Sequence, residues 1–230
     1  MQLSSDFLKY LASYTNGDQS DQLPPLSSLS KELGLSVASL REQLEVAEAL
    51  GLVEVRPRTG IRRLPYSFSP AVRQSLAYAI DLDRGFFEKF AELRNHIEAS
   101  FWMPAVERLT SADHAELNTL MAQAWKKLQG SPVQIPHSEH RQLHLLIYRR
   151  LDNLFVLGIL EAYWEAYEAV GLNLFTDYAY LTEVWTYHQH MVDAIVKGEY
   201  DAGFQALVEH KDLLYHRPFA VRNHLDRVKG

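Results

Sequence analysis

Cysteine is absent from the 230 residues, which removes disulfides, thiolate metal ligands and a cysteine nucleophile at once. Any metal site must therefore be built from nitrogen and oxygen donors. No apolar run approaches the roughly 18 residues that a bilayer crossing requires. The start, MQLSSDFLKYLASYT, lacks the basic residues, apolar stretch and cleavage site of a secretory signal. These absences predict a soluble, cytoplasmic protein with no membrane partner. Glycine-rich phosphate loops are missing too, which argues against a nucleotide-binding α/β domain. Positive charge is not in excess, since 23 Lys plus Arg face 29 Asp plus Glu for a net -6. That excludes a chain coated with basic charge, but not a local basic face.

With 47% hydrophobic and 23% charged residues, the composition is that of an ordinary globular protein. The length suits one large domain, or a small one followed by a medium one. In the first 65 residues, Phe7, Leu8, Leu11 and Ala12 share the spacing of one helical face. The stretch TNGDQSDQLPP reads as a polar loop. Leu26, Leu29 and Leu33 then form a second stripe that Gly34 stops, and Ser36 can cap a third helix carrying Leu40, Leu44 and Ala47. Two short helices about a glycine-containing turn suggest a helix-turn-helix. Behind them, LVEVRPRTGIRRL predicts a hairpin in which residues 54–63 hold four arginines against one glutamate. A basic hairpin in that position is a wing, able to set Arg56, Arg58 and Arg62 on phosphates or in the minor groove.

The stretch LPYSFSPAV reads as a linker over residues 64–70. Beyond it the periodicity predicts helices over 71–83, 86–108, 111–128, 137–150, 153–170, 177–197 and 200–216, with a further partial helix in AVRNHLDRVKG. Seven helices without a sheet predict an antiparallel bundle. Residues 66–230 carry 16 basic and 21 acidic groups, a balance that turns this part away from phosphates. Aromatic residues crowd positions 148–186 and are expected in the core or at an interface.

Histidines supply the strongest chemistry. His140 and His144 lie four apart, on one face of a helix, and His188 and His210 fall on two others. Two imidazoles at that spacing can chelate one metal, with others completing the site. The spacing is equally compatible with an exposed pair or with core histidines hydrogen-bonded to carbonyls.

The segment LPPLSSLSKELGLSVASLREQLEVAEALGLVEVRPRTG resembles the winged-helix domain of the GntR family of bacterial regulators. That family has a leucine-proline before its first polar helix, a leucine-rich segment ending in glycine-leucine-valine, and a glycine at the wing tip. The resemblance implies DNA contacts from Arg41 and Gly60, on a face that also includes Ser27, Val37, Ser39, Arg56, Arg58 and Arg62. Ser27 and Val37 stand where the family usually has arginines, and each lost phosphate contact lowers the salt dependence of binding by about one unit of slope.

The remainder resembles the FadR-type ligand-binding domain of one GntR branch, on ELRNHIEAS, HRQLHLLIYRRLDN and HQHMVDAIVKGEYDAGFQALVEH. This implies a divalent metal on His140, His144, His188 and His210, with effector contacts from Arg94, Glu98 and Asn153. His140 replaces the family's aspartate. Four neutral imidazoles leave the full metal charge, which shifts preference toward Zn²⁺ or Ni²⁺ and makes a small carboxylate the natural effector. His137 and His190 match no family ligand and are expected at the surface.

The expected protein is a homodimeric transcriptional regulator, not an enzyme. It has a winged helix-turn-helix over 1–65 and an all-helical effector and dimerisation domain over 66–230, and it reads a pseudo-palindromic double-stranded operator. The rivals are a metal-dependent enzyme using Glu98 or Glu139 as base, although HExxH is absent, and an interaction module with a relic winged helix.

Overall fold

The computed structural model describes residues 5–14, 21–170 and 178–215. The expected partial helix in AVRNHLDRVKG, most of the loop after α1 and the first residue of the helix expected over 177–197 lie outside the described residues.

Three short helices come first: α1 (Asp6–Ser13), α2 (Leu26–Leu33) and α3 (Val37–Ala49). Local chemistry explains their limits. Ser5 caps α1 by accepting from Leu8 N, and Ser36 caps α3 by accepting from Ser39 N at 3.1 Å. Gly34 ends α2 in the left-handed conformation, φ 67°, where its N–H reaches Ser30 O. Strands β1 (Val53–Arg56) and β2 (Gly60–Arg63) follow as an antiparallel pair in which Val55 opposes Ile61. The loop reading missed one feature at its far end. Residues 21–23 lie along β2, with Leu23 N donating to Ile61 O at 2.8 Å and Arg63 N donating to Asp21 O at 2.8 Å. Phe7, Leu29, Leu40, Ala47 and Val53, each almost wholly buried, form a core with no member beyond Ile61.

Among the described residues beyond Arg63 every element is a helix: α4 (Ser69–Leu82), α5 (Gly85–Val106), α6 (Ser111–Leu128), α7 (His137–Tyr148), α8 (Leu154–Val170), α9 (Tyr178–Lys197) and α10 (Tyr200–Tyr215). The linker reading runs two residues too far. Pro70 sits in the first turn of α4, where its missing N–H costs nothing and its fixed φ suits a helix. A second core joins Trp102, Leu117, Leu143, Ile147, Trp185 and Met191 from α5, α6, α7 and α9, and α10 packs along α9. The α6–α7 region is tied by Asp113. Its carboxylate closes a capping box with Thr110 and also takes Arg149 Nε at 2.8 Å and Arg150 Nε at 2.9 Å. Hydrogen bonding from Arg150 holds that carboxyl well below its usual range, with Thr110 and Arg149 adding, against the opposing effect of burial.

Candidate functional site

The helical phase of α7 sends His140 and His144 to one side, and the packing of α9 and α10 brings His188 and His210 to meet them. One ligand atom from each lies within 4.8 Å of every other. Ring centroids are 4.3 Å apart for His188 and His210, 4.7 Å for His140 and His188, and 5.2 Å for His144 and His188. His144, His188 and His210 are buried, and His140 is partly so. Burial is the largest cause pushing His140, His144 and His188 below the usual imidazole range. For His140 and His188 the neighbouring imidazoles add to it, while at His144 the Glu98 carboxylate opposes it. The three rings are therefore neutral near pH 7, with nitrogen lone pairs free of proton competition.

This donor set fits a divalent transition metal. His140 Nε2 is buried without a hydrogen-bond partner, and the Nε2 atoms of His144 and His188 face each other at 3.1 Å. Two nitrogens on one tetrahedral zinc ion stand about 3.4 Å apart, so the widest permitted separation, 4.8 Å, would need to close by about 1.4 Å on binding.

Above the cluster lies a cavity of about 30 Å³, close to the share of one water molecule in the liquid. His137, expected at the surface, is half-buried and lines it, whereas His190 is exposed. The walls include Tyr163, Trp164, Tyr167, Tyr180 and Trp185. Trp164 packs its ring 4.6 Å from His140 and 5.1 Å from His144, and its buried Nε1–H has no acceptor. Sequence reasoning left these aromatics without individual roles, although their crowding over 148–186 was the available signal.

The expected effector contacts divide. Arg94 lines the cavity but is only 1% exposed, and its guanidinium lies over the Tyr163 and Trp164 rings at 4.7 and 5.2 Å. It donates to Asn95 Oδ1 at 3.0 Å, pairs with Glu98 Oε1 at 3.0 Å and meets His144 Nδ1 at 3.1 Å. Glu98 is fully buried behind His144 and does not line the cavity. Asn153 Oδ1 accepts from Phe155 N at 3.1 Å and Val156 N at 3.2 Å, so the side chain caps α8, and Asn153 is not among the residues lining this cavity.

In the first part of the chain, Ser27, Arg41, Arg56, Arg58, Gly60 and Arg62 are exposed, and Val37 and Ser39 are half-exposed in the first turn of α3. Arg56 pairs with Glu54 at 2.9 Å, and Arg62 lies 3.7 Å from Asp21. Arg63 is half-exposed and donates to Tyr14 O at 2.7 Å. Three of the four hairpin arginines therefore remain at the surface.

The FCD-domain family model matches residues 89–213. The chain is 26% identical over 193 residues to an Escherichia coli K12 protein described as the uncharacterized HTH-type transcriptional regulator YieP, covering 80% of each. It is 24% identical over 208 residues to the Uxu operon transcriptional regulator of the same organism, covering 88% of this chain and 80% of the relative. A solved structure of Streptococcus agalactiae GntR shares the fold with a TM-score of 0.58 at 15% identity, over 90% of this chain and 94% of that one.

Proposed function

The chain belongs to the FCD-domain, FadR-type branch of the GntR family of transcriptional regulators, and on that premise we propose that it is an operator-binding homodimer switched by a small carboxylate at a four-histidine metal centre. Residues 1–65 are the winged helix-turn-helix and residues 66–230 the sensing and dimerising domain. Recognition helix α3 enters the major groove with Val37, Ser39 and Arg41, while Arg56, Arg58, Gly60 and Arg62 of the hairpin and Ser27 of α2 meet the backbone or the minor groove. The reading is supported by three surface arginines on a short hairpin directly behind α3.

The observation that carries the sensor is the meeting of four imidazoles from three helices beside an aromatic-walled cavity that His140 and His210 line. His140, His144, His188 and His210 hold Zn²⁺ or Ni²⁺, which supplies fixed positive charge for an anionic ligand. Among the described residues no carboxylate belongs to this donor set, which favours a small acid as the completing ligand. A free cavity of about 30 Å³ admits only a few atoms, so effector entry requires the aromatic wall to move. That movement reaches the DNA-binding unit through α8 and α4. A coupling of about 1–3 kcal/mol changes operator affinity roughly 5- to 150-fold. The named relatives are transcriptional regulators, which favours this reading over a metal-dependent enzyme.

Selection from random double-stranded DNA, with and without added Zn²⁺, tests the first half, and the expected product is an enriched pseudo-palindrome. Its absence rejects operator binding. Metal analysis of the purified protein and of His144→Ala and His188→Ala tests the second half; equal metal content in all three rejects the centre.

A further inference from the structure

We propose that Arg94 and Glu98 act together as a positioning pair for His144. They present both a hydrogen-bond donor and an acceptor to His144 Nδ1, so that this nitrogen keeps a partner whether or not the ring holds a metal. The proposal rests on the four-histidine centre and assigns it two residues outside the ligand set.

His144 Nδ1 faces two opposite partners at the same distance: Glu98 Oε1 at 3.1 Å and Arg94 Nη2 at 3.1 Å. On the far side of the ring, Nε2 faces His188 Nε2 at 3.1 Å. A neutral imidazole carries one proton, on one nitrogen or the other. When no metal is bound, the proton sits on Nε2 and is donated to His188, and Nδ1 accepts from the Arg94 guanidinium. When Nε2 ligates, its lone pair must be free and the proton moves to Nδ1. Glu98 then becomes the acceptor, in the carboxylate–histidine–metal arrangement that raises ligand basicity. In both states each His144 nitrogen has a partner, which matters because an unmatched polar atom in a dry interior costs far more than a hydrogen bond normally contributes.

The pair is built to stay in place. Arg94 is 1% exposed and Glu98 fully buried, so neither can swing into solvent. Their charges cancel through the 3.0 Å contact from Nε to Oε1, so the pair leaves the charge of a bound cation unaltered. Asn95 Oδ1 anchors Arg94 Nη1 at 3.0 Å, and the Tyr163 and Trp164 rings lie against the guanidinium. Tyr148 from α7 donates to the Glu98 carbonyl at 2.9 Å, locking that turn of α5 against the helix bearing His144.

The test uses the full-length protein and Zn²⁺ alone. Affinity is read by competition with a chromophoric chelator, and the His144 tautomer by ring ¹⁵N shifts with and without the ion. The wild type should change from Nε2–H to Nδ1–H on binding. Glu98→Gln should bind Zn²⁺ about 10- to 100-fold more weakly. Because Glu98→Gln leaves Arg94 unbalanced and can misfold, Arg94→Met/Glu98→Met serves as the second variant; replacing a buried pair by apolar groups of similar size is often neutral for stability. It should fold, keep all four metal ligands and show the same loss. Unchanged affinity in that double variant, or a His144 tautomer that does not respond to Zn²⁺, overturns the positioning role while leaving the metal centre standing. A wild type that binds no Zn²⁺ rejects the centre itself, and this inference with it.

Discussion

Gly158→Ala tests how the helical bundle holds the segment leading to the DNA-binding unit. Gly158 lies on α8, and a Cβ built there would stand 2.7 Å from Ser69 N, 2.8 Å from Phe68 Cβ and 3.0 Å from Phe68 C. Two of these atoms are backbone, so no rotamer change relieves them. The start of α4 must retreat by about 0.5 Å, and such overpacking costs about 1–3 kcal/mol. Alanine returns about 1 kcal/mol through its better helix propensity. The net expectation is a destabilisation of about 0–2 kcal/mol, which for a chain of this size lowers Tm by up to about 8 °C. Retreat is also blocked behind α4, because Gly51, at the end of α3, would place a Cβ 2.5 Å from Pro70 Cγ. The first turn of α4 is thus held between a glycine of the bundle and a glycine beside the recognition helix. Operator affinity, measured by fluorescence anisotropy, should change in Gly158→Ala while Zn²⁺ affinity does not. A Tm that rises by 2–4 °C with unchanged operator binding, the signature of helix propensity acting alone, refutes the reasoning.

Three further perturbations separate the parts of the molecule. Zn²⁺ at 100 times its Kd stabilises by about 2.7 kcal/mol, so Tm of the wild type should rise by about 5–11 °C in thermal melts, and His188→Ala should lose most of that rise. Leu40→Ala, at a position with no exposure, should cost the first unit about 2–5 kcal/mol and abolish DNA binding without altering metal content. Loss of both properties together would contradict independent units. Asp113→Asn should cost about 1–3 kcal/mol by weakening the hydrogen bonds from Arg149 and Arg150. The folded-state carboxyl lies below its unfolded value, so its contribution is present above about pH 4 and is lost as pH falls further. Acid titration of stability should therefore be shallower below pH 4 in the variant, and an unchanged profile would count against the assigned network.

Much of the architecture is written in short-range patterns. Apolar stripes three and four residues apart mark α1 to α3 and α4 to α10 because a helix buries one face of its own local sequence. Ser36, Gly34 and Thr110 act on backbone groups within a few residues, so the ends of α2, α3 and α6 follow from chemistry visible along the chain. The i,i+4 spacing of His140 and His144 likewise places two donors on one face before anything packs.

What the sequence by itself determined, then, is where the helices and the hairpin run and which side chains could ligate a metal. Only the tertiary structure decided what those side chains meet. Residues 21–23 join β2 across nearly forty positions, a pairing that the TNGDQSDQLPP composition does not announce. Asn153, expected to touch an effector, is taken up by the first turn of α8. Arg94 and Glu98 meet His144 from fifty and forty-six residues away, and Arg94 also lines the cavity beside the histidines. The physical reason is common to all three. Helix period and caps are settled by neighbours in the chain, whereas hydrogen-bond partners in a dry interior are settled by which helices pack together, and every buried donor and acceptor there competes for the few groups within reach.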